Sequence, residues 1–374
     1  MVPLLVVGAI AAPGVIESRY NRVRSLPPYP VPASTTQFHR SLFVADLHAD
    51  TLLWGRNLLG RSTTGHIDLS RLQEANVSLQ VFSAVTTIPR KLNIQSNTSR
   101  SDMVRYLSIA ERWPPRTWNS PKERALYQAA RLREFESESH GDLVLLRTQA
   151  DLRSFLASNR EHRVAALLAT EGAQPLEGKL ENLDDLYAAG FRMMSPTHFT
   201  DTEIGGSASG LQKQGLSDLG RKWVRSMEAK NLLIDLAHAS PATLHDVTAI
   251  AAKPVIVSHT GVKGTCDNNR NLSDDELRAV ARTGGIVGIG YWETATCGRD
   301  AGAVARAIRH AVKVIGVEHV ALGSDFDGAT TMPFDVTGLP LITDALRKAS
   351  VSEHDIGLIM GGNVVRVLSQ SLPE

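Results

Sequence analysis

The chain has 374 residues, 43% of them apolar, with 40 basic and 39 acidic side chains and a formal net charge of +1. That balance, with no long run of like charge, excludes nucleic acid or an acidic polymer as the expected partner, and the apolar fraction is ample for a core. The length fits one α/β barrel with insertions as well as two ordinary domains.

In chain order, residues 2–16 carry no charge. That length suits a secretory apolar core or a short anchor better than a full span of about 20 residues. Arg19, Arg22 and Arg24 follow it, and for a lone anchor the positive-inside rule would keep the rest of the chain cytosolic. Residues 1–16 are read as a signal or anchor-like segment, so the protein is expected to be exported or membrane-associated. Pro27, Pro28, Pro30 and Pro32 mark 17–40 as an extended linker, with the folded body over 41–374.

Eight short apolar runs follow, at 42–48, 77–85, 164–170, 191–197, 232–237, 254–258, 285–291 and 320–324. Most are continuous rather than alternating, the pattern of parallel strands buried on both faces. Helical patterns lie between them, at 219–230, 241–252, 274–283 and 301–316. Eight βα units predict a (β/α)8 TIM-type barrel, with a doubly wound open sheet as the alternative. Residues 89–163 are too long for one connection between strands 2 and 3. They predict a helical insertion with pieces at 102–112, 121–137 and 148–159. Closing helices are predicted at 341–348 and 352–368, with Gly361, Gly362 and Asn363 marking a turn or a helix start.

The polar residues that stand out sit at the C-terminal ends of these strands: His48 and Asp50, Glu171, His198, His238, His259 and Asp325. In a barrel those ends converge on one mouth, where barrel enzymes place their chemistry. His48 and Asp50 are two apart, so in extended chain they share a side and can grip one cation. Three histidines and two carboxylates (His48, Asp50, Glu171, His238, His259) form a mixed nitrogen and oxygen donor set that suits zinc, and are enough for two ions if one carboxylate bridges. Singly, each residue reads as structural; convergence at one mouth is what favours a metal centre. His39, His66, His140, His162, His245, His310, His319 and His354 fall in predicted loops or helices and read as structural, and Asp327, before Gly328, reads as a turn aspartate. Cys266 and Cys297, taken alone, fit free thiols.

Four blocks extend this reading: GLSDLGRKWVRSMEAKNLLIDLAHAS, PVIVSHTGVKGTCDNNRNLSDDEL, HVALGSDFDG and MGGNVVRVL. Long and in order, they make the chain resemble the membrane (renal) dipeptidases, zinc peptidases with a barrel fold, from about residue 43 to 368. The resemblance implies two Zn2+ ions bridged by Glu171 and a water or hydroxide, with His48 and Asp50 on one ion and His238 and His259 on the other. It implies that His198 contacts the substrate, that Arg270 binds its terminal carboxylate, and that Asp325 lies near the bridging water and moves protons. It also implies a Cys266–Cys297 disulfide, a small dipeptide as substrate, dipeptides with a C-terminal D-residue included, and a homodimer. One departure is Asp46-Leu47-His48-Ala49-Asp50, where many members carry Asp-Gly-His-Asn-Asp. The rivals are another metal-dependent hydrolase of the amidohydrolase-like barrel type, which usually shows His-x-His on the first strand, and a binding protein with a retained but inactive site.

Overall fold

The computed structural model describes residues 14, 16–158 and 162–374. The apolar segment expected at 1–16 lies almost wholly outside them. Among the described residues no helix is long and apolar enough to cross a membrane.

Eight parallel strands form the body: β1 (Val44–Ala49), β2 (Val77–Val85), β3 (Val164–Glu171), β4 (Phe191–Met194), β5 (Leu233–Ile234), β6 (Ile256–Thr260), β7 (Ile286–Ile289) and β8 (Val320–Leu322). They are hydrogen-bonded in the order β5-β4-β3-β2-β1-β8-β7-β6. An open sheet would leave the two ends of that order apart. Here they meet: Asp235, just past β5, bridges Ile256 of β6 in parallel, and the Leu236 amide donates to the Ile256 carbonyl at 2.6 Å. The sheet therefore curls into a barrel.

The continuous apolar strands feed two cores, as a period of two requires. Ala45, Leu47, Leu79, Val81, Ala165, Leu167, Ala169, Met193, Leu233, Ile256, Ile286 and Ala321 belong to one buried cluster, closed by Val364, Val367 and Leu368 of the last helix. Their neighbours along the strands, among them Phe82, Leu168, Val257, Val287 and Leu322, join the cluster that takes in the surrounding helices. Those helices start where side-chain caps satisfy their first amides. Ser217, Ser240, Ser273 and Asp300 accept from residues three positions on, opening Asp218–Ala229, Pro241–Ile250, Asp274–Arg282 and Ala301–Ile315.

The insertion between β2 and β3 holds helices Met103–Ala110, Pro121–Glu138 and Gln149–Ala157. It also holds a strand the pattern did not suggest, Leu143–Leu145, which pairs in parallel with the first residues of β3. Two other expectations do not hold. Residues 17–40 are not simply an extended linker: Arg22–Val23 pairs with Thr331–Met332, and Ala33–Ser41 is a helix. Its anchors are tertiary. The buried His39 ring bonds Thr343 Oγ1 at 2.8 Å and the Ala75 carbonyl at 3.0 Å, partners far along the chain. Asp327 is likewise more than a turn residue. It is fully buried and accepts from Thr51 Oγ1 at 2.7 Å, from the His66 amide at 2.6 Å and from the Arg56 guanidinium.

Arg56 also bonds Glu17 at 2.7 Å, so one half-buried guanidinium, set between two buried carboxylates, ties the segment before the barrel to the loop after β8. Removing one partner of such a pair leaves an uncompensated buried charge. Arg56→Ala should therefore destabilise the fold by about 3–5 kcal/mol, read as a lowered midpoint in denaturant unfolding.

Candidate active site

The inward face of the barrel changes character one strand period above its apolar layer. Ala169 is followed by Glu171, Leu233 by Asp235, Ile256 by Ser258, Ile286 by Gly288 and Ala321 by Gly323. The two glycines make room. A Cβ at Gly288 would lie 2.1 Å from the Ser258 carbonyl oxygen, and one at Gly323 only 1.8 Å from it. With no side chain at either position, the end of β6 leans across the barrel, and the His259 ring reaches His48 with centroids 3.8 Å apart.

The strand-end residues meet there. Glu171 is buried at the centre, its Oε1 lying 2.9 Å from His238 Nε2, 3.3 Å from His259 Nε2 and 3.6 Å from His48 Nε2. Its Oε2 lies 3.2 Å from His198 Nε2. Asp50 Oδ1 is 3.2 Å from His48 Nε2, and His238 Nε2 is 3.1 Å from His259 Nε2. Asp325 groups with His48 and His259, with donor atoms within 4.8 Å of one another. Arg270, also buried, donates to the His259 carbonyl at 2.9 Å and lies 3.3 Å from His238 Nε2, with its guanidinium 5.5 Å from the Trp292 ring.

Local backbone sets these directions. His238 and Asp325 both adopt left-handed conformations, φ 62° and 63°, which non-glycine residues hold only when their surroundings impose them. The His238 carbonyl accepts from the Ala208 amide at 2.8 Å, and the Asp325 carbonyl from the Gly328 amide at 3.2 Å. Asp46 fastens β1 to β8: it accepts from the His48 amide, from the Ser324 amide and hydroxyl, and from the Tyr291 hydroxyl at 3.1 Å. The Arg270 loop is tied down by a disulfide between Cys266 and Cys297, 31 residues apart with Cα atoms 5.2 Å apart. A loop of that length is worth about 3–4 kcal/mol on the chain-entropy model. Asn271 Nδ2 reinforces it by donating to the carbonyls of Cys266, Thr294 and Ala295.

Burial dominates the electrostatics. It raises the carboxyl pKa values of Glu171, Asp50 and Asp325 well above the usual range, with neighbouring carboxylates adding to it. It lowers those of His198, His238 and His259 well below theirs, helped by nearby cationic groups that include Arg270. Neutral imidazoles offer lone pairs, and crowded carboxylates call for positive charge. His48 Nε2, Asp50 Oδ1 and Glu171 Oε2 are buried with no hydrogen-bond partner among the described residues. Three overlapping sets of donors lie within ligating reach: His48, Asp50 and Glu171; Glu171, His198 and His238; His48, His259 and Asp325. Hard oxygen and imidazole nitrogen donors of this kind fit divalent metal ions, zinc among them.

Sequence reasoning singled out the residues at the centre and missed those behind them. Asp46, Asp235, Ser258 and Ser324 carry no ligand signature of their own. The proximity of His198 to Glu171, as close as that of His259, was not legible either. The steric role of the glycines has a direct test. Gly323→Ala should cost about 1–3 kcal/mol by overpacking, measured as a loss of thermal or denaturant stability.

Known proteins resemble this chain in sequence and in fold. The model of the membrane dipeptidase family, peptidase family M19, matches residues 33–372. Dipeptidase verJ of Clonostachys rogersoniana is 30% identical over 314 residues, 81% of this chain and 75% of that one. An uncharacterized protein in the pqqA 5' region of Klebsiella pneumoniae is 30% identical over 257 residues, 64% of this chain and 93% of that one. A metallopeptidase from Rhodobacter sphaeroides, solved with a phosphinate mimic of the dipeptide L-Ala-D-Ala, superposes with a TM-score of 0.74 at 25% identity, covering 88% of this chain and 99% of that one. With nearly the whole barrel matched and a donor-rich mouth suited to metal, the chain belongs to the membrane dipeptidase family, peptidase family M19, and is a metallodipeptidase.

Proposed function

We propose that the protein hydrolyses dipeptides at a pair of zinc ions. His48 and Asp50 would hold one ion and His238 and His259 the other, with the Glu171 carboxylate placed to serve both. One observation carries the reading: a single buried carboxylate faces four imidazole nitrogens within 3.6 Å, three on one oxygen and one on the other. Bound there, the ions would supply Lewis acidity toward the scissile carbonyl and bring the pKa of a water down to about 7.

The chain's own residues do the rest. His198, a neutral imidazole with one N–H, donates to the oxyanion that develops on the carbonyl. Asp325 accepts a proton from the attacking water and passes it to the leaving amine. Its membership of one donor group with His48 and His259 supports that role. Arg270 presents a planar fork to the substrate's terminal carboxylate. A carboxylate anchor one residue beyond the cut selects dipeptides over longer peptides, because any extension would bury unpaired polar groups against the guanidinium. The L-Ala-D-Ala mimic held by the Rhodobacter sphaeroides enzyme supports tolerance of a C-terminal D-residue. The Cys266–Cys297 disulfide supports an exported protein, since such bonds persist in oxidising compartments.

A dipeptide library with L,L and L,D members, assayed with and without chelator, tests the reading. Hydrolysis should vanish on chelation and return at two zinc equivalents per chain. Turnover indifferent to chelator would refute it. Arg270→Ala should raise KM by roughly 30-fold or more, the scale of removing one partner of a buried charge pair, while zinc content stays normal. Unchanged kinetics in that variant would remove the arginine's role.

A further inference from the structure

The acceptors and donors behind His259 follow a fixed count. Asp235 is buried at the seam of the barrel, and each hydrogen bond of its carboxylate is with a donor. Its Oδ1 accepts from the Ala237 amide at 3.0 Å and from the Ser258 amide at 2.8 Å. Its Oδ2 accepts from the Ser258 hydroxyl at 2.7 Å. A hydroxyl has one proton and two lone pairs. With the proton directed at Asp235, Ser258 Oγ can only accept from its other neighbours. Those neighbours are two imidazole nitrogens: His259 Nδ1 at 2.9 Å and, more distantly, His48 Nδ1 at 3.4 Å.

The geometry points to Asp235 and Ser258 as a positioning pair for the metal ligands: the serine accepts the Nδ1–H of His259, and secondarily that of His48, and so holds both rings in the tautomer whose Nε2 lone pair faces Glu171. This rests on the reading of His48 and His259 as ligands given above. In that reading the two histidines serve different ions, so one serine hydroxyl, oriented by one carboxylate, sets the donor atoms for both positions. A ligand imidazole oriented through its second nitrogen is more basic and loses less rotational freedom on binding, which is the usual effect of partners behind a metal site. By accepting from the Ser258 amide the same carboxylate also links the two strands whose ends carry His238 and His259, so the barrel seam and ligand orientation share one group.

The test is metal affinity rather than turnover. Zinc is titrated into the chelator-stripped full chain in competition with a chromophoric chelator, for the wild type, Ser258→Ala, Ser258→Thr and His259→Ala. Ser258→Ala should bind zinc about 10–100-fold more weakly, and Ser258→Thr, which keeps the hydroxyl, should recover most of that loss. Asp235→Asn should follow Ser258→Ala, but it alters the barrel seam, so the decision rests on the serine variants, whose unliganded melting temperatures are compared first. A second readout reports the hydrogen bond itself. In the cobalt-substituted protein the His259 Nδ1–H gives a shifted, solvent-exchangeable proton signal, and its exchange should speed up tenfold or more in Ser258→Ala. If Ser258→Ala binds zinc as tightly as the wild type while His259→Ala does not, the positioning role is wrong and the ligand assignment stands. If His259→Ala also binds as tightly as the wild type, the ligand assignment fails and takes this inference with it.

Discussion

The Glu171 carboxylate, shut away from water among four imidazole nitrogens, is the constraint around which the barrel mouth is built. Burial opposes charge on it and on Asp50 and Asp325, and equally opposes protonation of the histidines beside it. Such a cluster is stable only where positive charge is available and every direction of approach is controlled. A metallodipeptidase meets both conditions at one point, because bound metal both balances the carboxylates and is the source of its chemistry.

The barrel supplies the control. Its interior is an apolar plug up to Ala169, Leu233, Ile256, Ile286 and Ala321, and the polar layer begins one period higher. The side chains missing at Gly288 and Gly323 let one strand end lean across, which shortens the distance between the first and sixth strands to ring contact. Buried acceptors behind the centre then fix what leans in. Asp46 gathers His48, Ser324 and Tyr291, and Asp235 gathers Ser258 and, through it, two imidazoles. Precision at the centre comes from groups that stand behind it.

The resemblance and the strand pattern led to the right architecture because period and composition are local properties. Short β-rich runs such as Val77–Val85 and Val164–Glu171 read as strands buried on both faces, and they are. The helix at Ala33–Ser41 escaped notice because its stability lies in contacts with Thr343 and Ala75, and nothing within its own nine residues signals them. Asp327 looked like a turn residue for the same reason. Its partners, Thr51, Arg56 and His66, stand some 260 to 280 positions away.

What the amino-acid order determined by itself was the eight strands of the barrel, the strand ends on which ligand-type side chains fall, and, by resemblance, the family. A pattern of period two or 3.6 is set by backbone geometry and needs no distant partner to be read. Tertiary structure alone decided that the ends of the strand order meet at Asp235 and Ile256, that His198 stands as near to Glu171 as His259 does, and which nitrogen of each imidazole faces the centre. Those outcomes depend on distances and donor counts between residues remote in the chain, and they exist only once the barrel has closed.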